Sequence, residues 1–242
     1  LLRDAHYTGA PYGTVDAHRL IRSTTLVDGR VVLEESGVNA AESLLIARTL
    51  MRPAVYFHHV SRIAEMMFQA AVMAHVGDQA ADGLFALLQE DDSACMHALL
   101  TSPSPVARDL SHRIYQRRLY KRALYLNREQ VNAARMAQYC SHRKRVALAG
   151  RIADIAGVLP HEVLVDIPPF PGDMSLHVQV KNRHRAVGIS ELSPLLHTLN
   201  DTRRGQWRLG VYAPSRYRER VADVAADVLN VRPETTQEQL FG

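Results

Sequence analysis

The chain has 242 residues, 47% of them hydrophobic, 22% charged and 6% aromatic, which excludes a disordered or collagen-like protein. At about 150 residues per domain, the length fits one large domain or a main body with a smaller appendage. Lys and Arg outnumber Asp and Glu by 29 to 25, a net charge of +4, which favours anionic partners without choosing between nucleotide and nucleic acid. No apolar run reaches the roughly 20 residues of a membrane helix and no signal-peptide pattern opens the chain, so a cytoplasmic protein without membrane partners is expected. The two cysteines, Cys95 and Cys140, lack a CxxC pattern and a His at metal-ligand spacing, so neither a disulfide nor a thiolate metal site is expected.

In chain order, Leu1-Leu2-Arg3-Asp4 reads as the end of a helix begun farther upstream. A loop marked by Gly9, Pro11 and Gly13 leads to a short helix over 15–23 that places Leu20 and Ile21 on one side, with Asp16 at its N-cap. Residues 24–33 form two β-rich arms around Asp28-Gly29, the pair that a type I′ hairpin turn favours. Apolar residues then recur at spacings of three and four over 39–52 (Leu44, Leu45, Ala47, Met51) and 53–75 (Ile63, Met66, Met67, Ala70), predicting two long amphipathic helices. Pro53 fits the first turn of the second, where its missing N–H costs nothing. Shorter helices are predicted at 78–89, 91–101 and 104–116, with Asp91 and Ser104 as caps.

The pattern changes near residue 118. Strands are predicted at 119–126, 163–167 and 176–181, a long helix at 128–157, a helix at 191–199, a strand at 207–212 and a final amphipathic helix at 215–229. The expected fold is mainly α, a helical body over 1–117, with a C-terminal α+β subdomain over 118–242. No Rossmann GxGxxG and no GxSxG nucleophile motif occurs.

The segment Arg48-Thr49-Leu50-Met51-Arg52-Pro53-Ala54-Val55-Tyr56-Phe57-His58-His59 puts Arg48, Arg52, Tyr56 and His59 on one face if the helix is uninterrupted. Guanidinium groups beside a phenol suit a nucleotide, because Arg forks onto phosphate oxygens while the ring packs on sugar or base. The same spacing also describes an amphipathic helix with a polar rim. Together with Leu1 to Gly9, the helix from Asp16 to Arg22 and the Asp28-Gly29 hairpin, this segment resembles the HD-domain phosphohydrolases of the deoxynucleotide triphosphohydrolase (dGTPase-like) type, over roughly residues 1–75.

The resemblance implies a metal-dependent phosphohydrolase that splits a dNTP into deoxynucleoside and tripolyphosphate, in an assembly of several identical subunits. In that family an Asp that ligates the metal opens the pattern Asp-x-Asp-Arg-x-Asp-Tyr, of which this chain carries only the end, and a His and a His-Asp pair lie farther upstream. A divalent ion (Mn, Mg, Fe or similar) is therefore expected in the intact protein, with no metal ligand in this chain, none bound to it and no catalytic activity of its own. By the same resemblance Asp4 meets the sugar 3′-hydroxyl, Arg48 the triphosphate and Tyr56 the deoxyribose. Phe57 stands where some members carry a polar residue that reads sugar or base. Arg19 aligns with a contact to an activator nucleotide in regulated members, whereas Glu34 and Ser36 replace their basic residues.

His58 and His59 are adjacent, so on a helix they point about 100° apart and make a poor chelate. Two basic clusters remain: Arg113, Arg117, Arg118, Lys121 and Arg122 with Tyr115 and Tyr120, and His142-Arg143-Lys144-Arg145. Each suits single-stranded nucleic acid or a solvated face or subunit rim, and Lys181, Arg183, His184 and Arg185 repeat the pattern. The alternative functions are a non-catalytic nucleic-acid-binding or assembly module and an HD-type phosphohydrolase acting on another phosphoester.

Overall fold

The structure, a computed structural model, describes residues 1–77, 80–172, 179–181 and 186–231. It is mainly helical with small sheets, as expected, and the chain divides into two compact units that interleave along the sequence: Leu1–His58 with Phe170–Trp207, and His59–Pro169 with Arg208–Gly242. The expected division at 117/118 falls inside the second unit, because Leu110 and Ile114 before it and Leu119 and Tyr120 after it pack in one apolar core.

The first unit begins with α1 (Leu2–Thr8), α2 (Ala17–Arg22), β1 (Thr24–Val27) and β2 (Arg30–Glu34). Asp16 caps α2, its Oδ1 accepting the Arg19 N–H at 2.9 Å. Asp28 (φ 50°) and Gly29 (φ 73°) supply the left-handed pair that turns β1 into β2. Gly13 lets the loop lie on α1, since a Cβ there would stand 2.1 Å from the Ala5 Cβ. Next come α3 (Val38–Met51) and, from the later stretch, β5 (Gln179–Lys181), β6 (Ala186–Gly188), α10 (Ile189–Leu192) and α11 (Leu195–Gly205). Among the described residues the strands form one sheet in the order β1-β2-β5-β6, with β2 and β5 parallel through Leu33↔Val180. Leu33, Ala41, Val180, Val187, Ile189 and Leu196 fill its core.

The second unit holds α4 (His59–Val76), α5 (Ala80–Leu88), α6 (Asp92–Leu100), α7 (Pro105–Tyr115), β3 (Lys121–Asn127), α8 (Ala133–Ala137), α9 (His142–Ala156), β4 (Leu164–Asp166), β7 (Arg208–Ala213) and α12 (Arg218–Leu229). Asp91 and Ser104 cap α6 and α7 as expected. Here β7 lies between β3 and β4, antiparallel to both. Met67, Leu110, Tyr120 and Tyr212 are buried together at the meeting of α4, α7 and this sheet. The Asp166 carboxylate takes a fork from Arg62, with Nη2 at 2.5 Å and Nε at 2.9 Å, and the Tyr212 hydroxyl donates to it at 3.4 Å. Burial keeps the Tyr212 and Tyr120 phenols well above their ordinary pKa.

Three expected elements are broken. The helix predicted to start at Pro53 starts at His59, for reasons given below. The helix over 128–157 is two, because the Asn127 Oδ1 accepts the N–H groups of Glu129 and Gln130 in a side-chain turn and Asn132 then caps α8. The helix over 191–199 is interrupted at Ser193-Pro194, where Pro194 lacks a donor and the Ser193 hydroxyl bonds to Glu42 instead. Of the strand predicted over 176–181, residues 176–178 lie outside the described residues, as do Arg183, His184 and Arg185. Both cysteines are free.

Candidate functional site

Pro53 shapes the site. It cannot donate to the Thr49 carbonyl, and its ring crowds the preceding turn, so α3 runs on as a single π-turn over Arg52–Tyr56, closed by the Phe57 N–H donating to the Arg52 carbonyl at 2.6 Å. The released Thr49 carbonyl accepts the Gln206 Nε2 amide at 3.3 Å. The extra residue in that turn shifts the side chains that follow, and the helix stops at Phe57–His58. The continuous face expected through His59 therefore ends at Tyr56. His59 opens α4 in the second unit.

The π-turn gathers the predicted residues around a cavity of about 470 Å³, lined by Arg48, Arg52, Tyr56 and Phe57 over Leu44 and Leu45. Arg48 and Tyr56 are exposed, and the Arg52 guanidinium lies 3.6 Å from the centre of the Phe57 ring. Phe57, at a position where some members of the resembling family carry a polar residue, thus orients an arginine by cation–π contact. A third arginine, Arg203, comes from the last turn of α11, where its Nη1 donates to the Gly172 carbonyl at 3.1 Å. No Asp or Glu is among the residues lining the cavity, and three arginines are, which suits an anion with several oxygens.

Asp4 stands outside the lining and is tied to it: the Tyr56 hydroxyl donates to its Oδ2 at 2.7 Å. That bond holds the Asp4 carboxyl below the usual carboxylate range and pushes the Tyr56 phenol above its ordinary value. Oδ1 has only a 3.5 Å contact from Arg3 and remains available to a hydroxyl donor. Arg19 is exposed on α2 and does not line this cavity. Sequence reading missed Arg203 and Gln206. Their only signal is the basic end of an amphipathic helix, and nothing local shows that it returns to a π-turn some 150 residues earlier in the chain.

Among the described residues, no three His, Cys, Asp or Glu side chains come together closely enough to hold a metal ion. No helix among the described residues is long and apolar enough to cross a membrane.

A helical body with two small sheets and an arginine-lined cavity on a π-turn defines the class, and a family model described as the HD-associated region matches residues 15–240. The chain belongs to this HD-associated family. It is 29% identical over 220 residues to an uncharacterised protein of Methanocaldococcus jannaschii, covering 88% of this chain and 47% of that protein. A 67-residue stretch is 42% identical to the uncharacterised YwfO of Bacillus subtilis, covering 28% of this chain and 16% of YwfO. The fold is similar to a hypothetical protein from Aquifex aeolicus, with TM-score 0.63 and 23% identity over 92% of this chain and 54% of that one. It is also similar to a phosphohydrolase from Bacteroides thetaiotaomicron, with TM-score 0.56 and 20% identity over 88% of this chain and 58% of that one. The chain spans about half the length of the M. jannaschii protein and of both solved structures.

Proposed function

We propose that this chain forms the nucleotide-holding part of an HD-type phosphohydrolase that converts a dNTP into deoxynucleoside and tripolyphosphate. The observation that carries the reading is one cavity in which Arg48, Arg52 and Arg203 face inward beside Tyr56, with Tyr56 bonded to Asp4. In this reading the three arginines take the phosphate oxygens and offset the charge that develops on them. The Tyr56 ring packs on the deoxyribose, and its bond fixes the Asp4 carboxylate so that Oδ1 accepts the sugar 3′-hydroxyl. The divalent metal that the reaction class calls for is held by residues other than those described, and the assembly is a homo-oligomer drawing on the cytoplasmic nucleotide pool.

The test is product analysis of the full gene product with each dNTP and Mn²⁺ or Mg²⁺, alongside Arg48→Ala and Tyr56→Ala. Deoxynucleoside with tripolyphosphate, reduced in both variants at unchanged folding, supports the reading. Turnover of a different phosphoester in place of every dNTP, or full activity in both variants, overturns it.

A further inference from the structure

The second unit carries a second cationic site. Two adjoining hollows, of about 320 and 340 Å³, share Arg117, Leu119, Tyr120 and Lys121 between the end of α7 and the start of β3. Arg122 and Arg218 line the first, and Arg113, Arg118 and Arg216 the second; no Asp or Glu lines either. Arg113 and Arg216 are compensated, by Asp109 at 2.7 Å and Glu162 at 2.6 Å. Arg117, Arg118, Lys121, Arg122 and Arg218 are all exposed, and none makes an ion pair among the described residues. Five such cations along one trough repel one another, and a chain of anions relieves that repulsion.

The backbone gives an independent sign. After α7, the Arg118 N–H donates to the Arg113 carbonyl at 2.7 Å and the Arg117 N–H to the Ile114 carbonyl at 3.0 Å, a Schellman ending with Arg117 in the left-handed region at φ 55°. That position favours glycine, and a bulky side chain there is strained. An arginine that lines both hollows thus occupies a position where the backbone alone prefers Gly. Tyr115, the last residue of α7 and two residues before Arg117, is 72% exposed and lines neither hollow.

We propose that this trough binds the phosphate backbone of single-stranded nucleic acid, with Tyr115 stacking on a base. Exposed cations that can follow a phosphate backbone and an exposed aromatic that can stack on a base are what strand binding without sequence readout requires. This site is separate from the Arg48 cavity and does not depend on the reading of that cavity.

The experiment is fluorescence anisotropy of the protein with a labelled oligothymidylate of about 12 nucleotides, within the range of single-strand site sizes. If all five cations meet phosphates, affinity falls about 100-fold between 50 and 200 mM salt, following the single-strand counterion-release slope. Lys121→Ala/Arg122→Ala weakens binding at least tenfold and flattens the salt dependence. Arg117→Gly weakens it several-fold while the melting temperature holds or rises, a split that a structural role for Arg117 does not produce. Arg48→Ala binds the strand like the parent. Parent-like affinity in the Lys121→Ala/Arg122→Ala and Arg117→Gly proteins overturns the proposal. So does equal affinity for a duplex of the same length, or full displacement by tripolyphosphate or polyglutamate at the strand's own phosphate concentration.

Discussion

Replacing Asp166 by Ala tests the reading of the second unit's core most directly. Asp166 and Arg62 are largely buried, with side-chain exposures of 6% and 15%, and form a forked pair at 2.5 and 2.9 Å. Removing the carboxylate strands a guanidinium in the interior, which costs about 3 to 5 kcal/mol for a buried pair. Arg62 retains Glu65 at 2.7 Å, but Glu65 is 46% exposed and its attraction is screened, so the cost falls near the lower end, about 3 kcal/mol. For a chain of this size that lowers the melting temperature by about 6 to 12 °C. Taking out both charges, Arg62→Met with Asp166→Leu, recovers most of the loss, because no unpaired ion is left and the 3.4 Å Tyr212 contact is too long to contribute much. Denaturant unfolding followed by far-UV circular dichroism measures both variants. Trp207, the sole tryptophan, belongs to the first unit, so its fluorescence reports that unit separately. A loss under 1 kcal/mol in Asp166→Ala, or a double variant no better than the single one, refutes the assignment of this pair as a buried, mutually dependent ion pair.

Tyr56→Phe removes the donor to Asp4 and returns the Asp4 carboxyl toward its ordinary pKa, seen by NMR titration of its side chain. Because Asp4 is lowered in the fold, the contact stabilises above the ordinary carboxylate pKa and is lost as pH falls through the lowered value; because Tyr56 is raised, it is also lost as pH rises through that raised value. Arg117→Gly relieves a left-handed arginine and raises stability by about 1 kcal/mol, read as a higher midpoint in denaturant. Asp91→Ala removes the acceptor of the Ala94 N–H at 2.8 Å and costs about 1 kcal/mol, measured the same way. Phe57→Leu removes the ring beneath the Arg52 guanidinium and weakens the nucleotide binding proposed for this cavity, read by calorimetry, while leaving the melting temperature near that of the parent.

What the sequence revealed was local. The Asp28-Gly29 hairpin, the caps at Asp16, Asp91 and Ser104, and the apolar spacing of Ile63, Met66 and Met67 depend on neighbours within a few residues, and each lies in the structure as expected. Arg48, Arg52 and Tyr56 could be grouped from the sequence because their spacings of four set them along one side of just over two helical turns. The π-turn was not legible, since Pro53 is equally compatible with a fresh helix start, and the two are distinguished by the Phe57 N–H donating to the Arg52 carbonyl and by the distant Gln206 amide donating to the Thr49 carbonyl. Arg203 and the insertion of β7 between β3 and β4 stayed hidden because pairing between distant segments leaves no periodic trace in either one.

The interleaving of the two units has a consequence for how the protein is made. The sheet of the first unit joins β2 to β5 across almost 150 residues, and β7, the middle strand of the other sheet, emerges from the ribosome after most of its unit. Neither unit can close until the last quarter of the chain has been synthesised, so both complete late and with long loops to close. A nascent chain halted before residue 208 holds β3 and β4 with no strand between them, two bare edges open to a neighbour. Expression from a template cut at 117 or at 207 therefore yields aggregating fragments rather than a working half, and dissection of this protein has to proceed by point substitution.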